Sequence, residues 1–402
     1  MAVPVPCRHE ACLARLSHAQ LLRLAAIGMR DSEEGRRLGD AMLAEHVPEW
    51  AVTGIFTSVD LVGALLASLL LAHSYTASVC TVWRAAWAER MNGTLRYVEQ
   101  VPRLYRYVTH LTARPQGGVI LPHYGGSSLD SLVRGVDGLR MGTFADMQDT
   151  IDSPTAFAFL DDKRGWVIDR DEICKIRVSD DLVLVEAVYY DLWDGWGFKP
   201  LDIAVAGDRL LVGGDGEGRD HENGGINAGV IVFGAENAGM SYTFGEHGTG
   251  PDQVGIVTSL CVHGEDVFVA DTYNHRIQVY HLPPRFTEET TRHVRCVGDS
   301  SHVEYGSSIP GSSAAGAFNE PIGVAVARGH LIVSEREGKR IQVLTLEGGP
   351  LRAVGSPRLG GSVPGGIKLG GICVDGSHLW VTGPDESKTT VHIYEFDDEF
   401  LA

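Results

Sequence analysis

The sequence predicts a mainly β protein: a six-bladed β-propeller preceded by a small α-helical N-terminal domain. Three observations carry this expectation. A unit of two short apolar strands recurs six times, glycine is abundant at 49 of 402 residues, and composition changes abruptly near Met91-Asn92-Gly93. Residues 1–95 contain six glycines and carry a net charge of −1, whereas residues 96–402 carry −17 of the total −18. The expected domains are 1–58, helical; 59–93, a second helical segment; and 94–402, the propeller.

The first elements are helices. Leu13, Leu16, Leu21, Leu22, Leu24 and Ile27 recur at helical spacing, with Ser17 placed to cap the run from His18. Residues 36–46 give a short amphipathic helix. Residues 59–90 read as an apolar helix to about Leu71, a polar break at His73-Ser74, and a second helix through Trp87. The apolar run 55–72 approaches membrane-spanning length but contains Asp60 and Gly63. An aspartate at the centre of a span costs roughly 2.5–3.5 kcal/mol, so a buried helix pair is the expectation and a membrane role is not.

The pattern over 59–90 resembles an F-box, in which a Leu-rich helix is followed by a helix carrying Val-Cys-x-x-Trp-Arg. The matching residues are Leu61, Leu65, Leu66 and Leu69 in the first helix and Val79, Cys80, Trp83 and Arg84 in the second. Val59-Asp60 stands where the family has a proline, and Gly63 interrupts the first helix. The resemblance implies that these eight residues contact the adaptor of a cullin-type (SCF) ubiquitin ligase. The alternative is a helical cap in which the same Leu and Trp residues are core.

Beyond the boundary the chain repeats. The stretches starting at Ser153, Lys199, Val257, Glu320 and Lys368 each give a strand, a short turn and a second strand, and a fainter copy begins at Tyr107. Equivalent valines fall at Val119, Val167, Val212, Val269, Val333 and Val381, separated by 48, 45, 57, 64 and 48 residues. Short strands at such a period are the pattern of propeller blades. A lone blade cannot bury both faces, so blades stack around an axis. A third strand is legible at 174–178, 275–280, 339–344 and 390–396. The last blade runs out of chain before a fourth strand, and residues 95–101 are expected to supply it, clasping the two ends of the propeller together.

The stretch VADTYNHRIQVY, 269–280, closely resembles an NHL repeat, and SEREGKRIQVL, 334–344, is a looser copy with Glu335 where Asp271 stands. Within this pattern Asp271, Asn274, His275 and Arg276 are expected to form a structural strand-to-strand turn, because Asp and Asn side chains bond nearby backbone.

No catalytic or cofactor motif emerges. GxSxG, HExxH, a P-loop and GxGxxG are absent from the sequence. Cys7, His9, Cys12 and His18 lack the two spaced ligand pairs of a structural zinc site. Asp215, Glu217, Asp220 and Glu222 sit in a Gly-rich loop, 213–225, whose spacing departs from an EF-hand. That loop and 283–315 account for the two long separations as insertions, and Arg285, Arg292 and Arg295 in the second are a candidate docking loop. Neither a catalytic residue, a metal nor a cofactor is expected.

The acidic balance repels phosphate backbones and argues against nucleic acid as a partner. Seven scattered cysteines without a CxxC pair predict a reducing, intracellular, cytoplasmic setting, and the first residues lack a signal-peptide pattern. The resulting expectation is a non-enzymatic protein-interaction protein, a substrate receptor of an SCF-type ligase. Its alternatives are a plain NHL scaffold with a helical cap, or a calcium-dependent propeller hydrolase or lyase.

Overall fold

The computed structural model describes residues 95–104, 108, 110–123, 126–135, 138–147, 151–179, 182–216, 225–283, 291–298, 315–355, 370–376, 378–385 and 388–396. The helical segments expected over 1–58 and 59–93, and with them all eight F-box-like residues, lie outside the described residues.

Six four-stranded antiparallel sheets form the blades of a propeller. Blade 1 contains β2 (Thr112–Ala113), β3 (Val119–Pro122), β4 (Ser128–Gly135) and β5 (Gly138–Asp146). Blade 2 contains β6 (Pro154–Phe159), β7 (Arg164–Asp169), β8 (Glu172–Ser179) and β9 (Leu182–Asp191), and a five-residue helix α1 (Leu192–Trp196) leads out of it. Blade 3 follows as β10 (Lys199–Ala206), β11 (Arg209–Asp215), β12 (Ala228–Gly234) and β13 (Met240–Glu246). Blade 4 is β14 (Val257–His263), β15 (Asp266–Asp271), β16 (Arg276–His281) and β17 (Arg292–Val297). Blade 5 is β18 (Pro321–Ala327), β19 (His330–Glu335), β20 (Arg340–Thr345) and β21 (Pro350–Gly355). Blade 6 takes β22 (Ile372–Asp375), β23 (His378–Asp385) and β24 (Lys388–Phe396) from the chain end, and its outer strand is β1 (Leu95–Leu104).

The clasp expected at 95–101 is therefore present and extends to Leu104. β1 runs antiparallel to β24, from Leu95 opposite Phe396 to Leu104 opposite Thr389. One blade is thus built from both ends of the propeller's sequence.

There is no single core. Six apolar clusters lie between successive blades, each uniting the back of one sheet with the front of the next. Trp166, Ile168 and Ile173 of blade 2 meet Leu210, Val212 and Ile231 of blade 3. Ile332, Ile341 and Val343 of blade 5 meet Leu379 and Val381 of blade 6. The ring closes where Trp380, Val391 and Ile393 of blade 6 pack on Val119, Leu121 and Leu132 of blade 1. All six repeat valines face the preceding blade and are fully buried. Burying one such side chain contributes roughly 1.5–3 kcal/mol, so the sequence period is the period of the interface. The inner strands approach closely enough that a Cβ at Gly323 in β18 would collide with Ile372 of the next blade.

Strict alternation along each sheet assigns every connection to one of two faces. The turns from first to second strand share a face with those from third to fourth. Among the described residues, three of the former are two-residue turns, at 207–208, 264–265 and 328–329. The strand ends at the opposite face are those joined by the second-to-third turns and by the links between blades, among them the ends of β11 and β12, of β17 and β18, and of β21 and β22. Among the described residues, no helix is long and apolar enough to cross a membrane.

One expectation needs correction. Arg292 and Arg295 do not lie in an insertion: both are in β17, the outer strand of blade 4. Its mixed exposure hides the two-residue alternation by which strands are recognised. The long separation between blades 4 and 5 arises around that strand, and Arg285 lies outside the described residues.

Candidate functional site

The first strands of all six blades surround a central cavity of about 300 Å³. Its wall is mostly apolar or small, with residues such as Ala113, Ala158, Val205, Cys261, Val326 and Gly371. Against this lining stands one charged pair. His110, just before β2, holds its Nδ1 at 2.7 Å from the Asp202 carboxylate on β10, reaching past blade 2. Asp202 is 1% exposed and also accepts the Leu260 N–H of blade 4 at 2.6 Å. His110 Nε2 lies 3.0 Å from Thr112 Oγ1, and that hydroxyl donates to the Phe157 carbonyl of blade 2. One polar network thus joins the inner strands of four blades.

Burial pulls the His110 pKa down, but the charge and hydrogen bond of Asp202, with help from the Phe157 backbone, win and raise it above the ordinary histidine value. Burial also raises the thiol of Cys261 on the cavity wall to about 12, so it is a neutral S–H at physiological pH. Sequence reasoning missed both members of the pair. The only signal was a titratable residue beside or within each of two inner strands, His110 just before β2 and Asp202 amid the apolar run of β10, and ring closure is what brings them together.

The NHL-like turn follows β15. Asp271 and Arg276 are buried and paired at 2.8 Å. The Asp271 carboxylate also accepts the Gly255 N–H at 2.8 Å and the Asn274 amide at 2.9 Å. Arg276 donates to the backbone carbonyls of Thr249, Gly250 and Gln253 in the link from blade 3, and Asn274 donates to the Gly248 carbonyl. His275 adopts φ +53° at the turn and accepts the Glu320 N–H of the following link at 3.0 Å. Burial pushes the Asp271 carboxyl up against the pull of Arg276. Blade 5 repeats the arrangement with Glu335, which pairs with Arg340 at 2.7 Å and accepts the Asn319 N–H.

Of the acidic loop, Asp215 ends β11, while Glu217, Asp220 and Glu222 lie outside the described residues. Arg295 donates to the Leu346 carbonyl of blade 5 at 2.6 Å, so it ties two blades together. Among the described residues no group of three His, Cys, Asp or Glu side chains is placed to hold a metal ion.

Two segments match the NHL repeat family, residues 257–280 and 318–344, and they coincide with the first three strands of blades 4 and 5. Blades 4 and 5 of the propeller carry NHL repeats. No curated protein matches the chain. Among solved structures, the PQQ-bound aldose sugar dehydrogenase of Streptomyces coelicolor aligns with a TM-score of 0.50 at 11% identity, covering 76% of this chain and 99% of that one. A calcium-binding protein, regucalcin, from Agrobacterium tumefaciens strain C58 aligns with a TM-score of 0.50 at 14% identity, covering 75% and 96%. At such identities the likeness establishes the NHL propeller's architecture alone.

Proposed function

We propose that this NHL propeller is a non-enzymatic protein-interaction scaffold that binds its partner on the face where the second-to-third turns and the blade links emerge. The observation that carries the reading is the asymmetry of the two faces. One receives the three longest connections of the propeller, while the other has two-residue hairpin turns in three blades. Two of the exposed large side chains, Trp193 in α1 (46%) and Tyr273 between β15 and β16 (56%), stand on the long-connection face. Trp and Tyr are the residues that most often dominate protein interfaces. The net charge of −17 over residues 96–402 favours a basic partner surface.

The finer reading makes the F-box-like segment 59–93 a second arm. Leu61, Leu65, Leu66, Leu69, Val79, Cys80, Trp83 and Arg84 would then dock on an SCF adaptor, and the propeller would present the substrate. Its test is a pull-down of full-length protein with purified adaptor, beside Trp83→Ala. Recovery that Trp83→Ala abolishes supports it, and recovery no better than that variant rejects it. For the propeller face, Trp193→Ala/Tyr273→Ala should lose cross-linked partners while keeping the wild-type melting temperature. An unchanged partner set would reject that face. A plain scaffold with a helical cap instead predicts that removing residues 1–90 lowers propeller stability.

A second reading, a calcium-dependent hydrolase or lyase, draws on the buried His110–Asp202 pair in an open cavity and on the calcium-binding propeller among the structural neighbours. Both ring nitrogens of His110 are already engaged, which favours a brace over an acid–base catalyst. Calorimetric titration of chelated protein with Ca²⁺ separates the two readings: a scaffold gives no saturable heat, and a calcium enzyme does.

A further inference from the structure

The second-to-third turn of blade 1 holds a cluster that the scaffold reading does not use. It joins β3 to β4 over residues 123–127 and occupies the place of the NHL turn in blades 4 and 5. The register makes the comparison direct. Two residues beyond the repeat valine, Asp271 pairs with Arg276 in blade 4 and Glu335 with Arg340 in blade 5. The corresponding pair in blade 1 is Leu121 with Asp130. The carboxylate has thus moved to the third strand, onto the arginine's position, and the imidazole of His123 takes the part of the guanidinium.

Ser128 and Asp130 are two apart on β4, so both side chains leave the strand on one face. The residue between them, Leu129, is buried against blade 2 on the other. His123 opens the turn and lies over the pair, its Nδ1 3.3 Å from Ser128 Oγ and its Nε2 3.1 Å from the Asp130 carboxylate. The His123 N–H donates to the Ser128 carbonyl at 3.3 Å, and the Gly126 N–H donates to the His123 carbonyl at 3.1 Å, which holds the ring in place. His123 and Asp130 are buried, whereas Ser128 is half-buried. The hydroxyl is the member of the three that a reagent can reach.

A purely structural brace does not need this composition. Arg276 and Arg340 are permanently charged and spend donors on link carbonyls. An imidazole can present a lone pair instead, and a carboxylate beside Nε2 keeps the ring proton on that nitrogen. The Nδ1 lone pair then faces the Ser128 hydroxyl. Burial holds the ring below the ordinary histidine pKa, outweighing the pull of Asp130, so that lone pair is present at neutral pH. A hydroxyl within reach of a base, itself oriented by a third group, is the arrangement that activates a serine. Both contacts are longer than a tight hydrogen bond, as such contacts commonly are before a substrate binds.

We propose that Ser128 is an acyl-acceptor site for small activated esters, with His123 as its general base and Asp130 as the positioning carboxylate. Ser128 Oγ attacks the ester carbonyl carbon while its proton passes to His123 Nδ1. The bond from that carbon to the leaving oxygen breaks, the leaving group departs with the electron pair, and the acyl group stays on Oγ as a new ester. The imidazolium then gives its proton to solvent. The step is a single covalent modification of the propeller without turnover, so it stands beside a scaffold role.

The test is incubation of full-length protein with p-nitrophenyl acetate, following nitrophenolate release and mapping the acetyl group by peptide mass spectrometry. The expected result is one acetyl group on Ser128, removable by hydroxylamine and missing from Ser128→Ala, with acetylation at least about a hundredfold slower in His123→Gln. The wild-type rate should rise with pH through one ionisation. That ionisation should move to lower pH in Asp130→Asn, because among the described residues the charge that raises the His123 pKa is that of Asp130. Melting temperatures report whether the variants fold. A wild type acetylated only on lysines or the amino terminus overturns the proposal, as does an undiminished rate in folded His123→Gln. Should His123→Gln not fold, an Asp130→Asn profile that coincides with the wild type overturns it.

Discussion

At the scale of single residues, the charged groups of this propeller divide by burial. Arg336 and Glu320 pair at 2.7 Å but stay 32% and 23% exposed, and such pairs contribute only about 0–1 kcal/mol. Arg276 and Asp271 are 2% and 0% exposed, and removing one partner of a buried pair strands the other charge at a cost of about 3–5 kcal/mol. Arg276→Ala should therefore lower the urea midpoint strongly, while Arg336→Ala moves it little. Because Arg276 also holds three carbonyls of the link from blade 3, its loss should leave partner binding intact in whatever fraction remains folded. Equal, small shifts in the two variants would show that the NHL turn does not anchor its blade.

At the scale of elements, β1 is the test of how the ring is held. It is joined to blade 6 by its pairing with β24, and Val101 packs against the cluster that closes blade 6 on blade 1. Deleting residues 95–101 removes most of that pairing and bares the β24 edge, a template for association between molecules. A loss of about 3–5 kcal/mol translates to a drop of roughly 5–8 °C in a domain of about 300 residues. Calorimetry would check it, and an unchanged melting temperature would mean that three strands suffice to close the ring. This clasp was legible because the last repeat visibly lacked a strand. The hairpins were legible for a local reason: Gly207, Gly264, Gly329 and Gly376 occupy positive φ at the first-to-second turn, and glycine between apolar runs marks such a turn. The fourth strands of the other blades were not legible. β5 and β17 lie at the rim with most positions partly or fully exposed, so neither face selects apolar residues, and Arg292 and Arg295 passed for loop residues. His110 and Asp202 were hidden for a different reason, because their partnership exists only after six blades have curled around a common axis.

At the scale of the whole molecule, that same pair predicts how stability responds to pH. His110 bonds Asp202 across blade 2, Asp202 accepts from blade 4, and Thr112 extends the network to blade 2, so the network can form only in the closed ring. The folded pKa of His110 is raised by Asp202, whereas the unfolded chain has the ordinary value of about 6.5. Below that value the imidazole is charged in both states and the pair contributes fully. As pH rises, the unfolded state releases its proton first, and the contribution decays until pH has passed the folded pKa. Stability of the wild type relative to His110→Gln should thus be greatest near pH 6 and shrink toward pH 9. Urea unfolding of both proteins across that range isolates the effect, since the other histidines are common to the two. A difference that is flat with pH would mean that the pair is not ionised at the centre of the ring. A difference that grows with pH would reverse the sign and show burial, not Asp202, to be the dominant influence on His110.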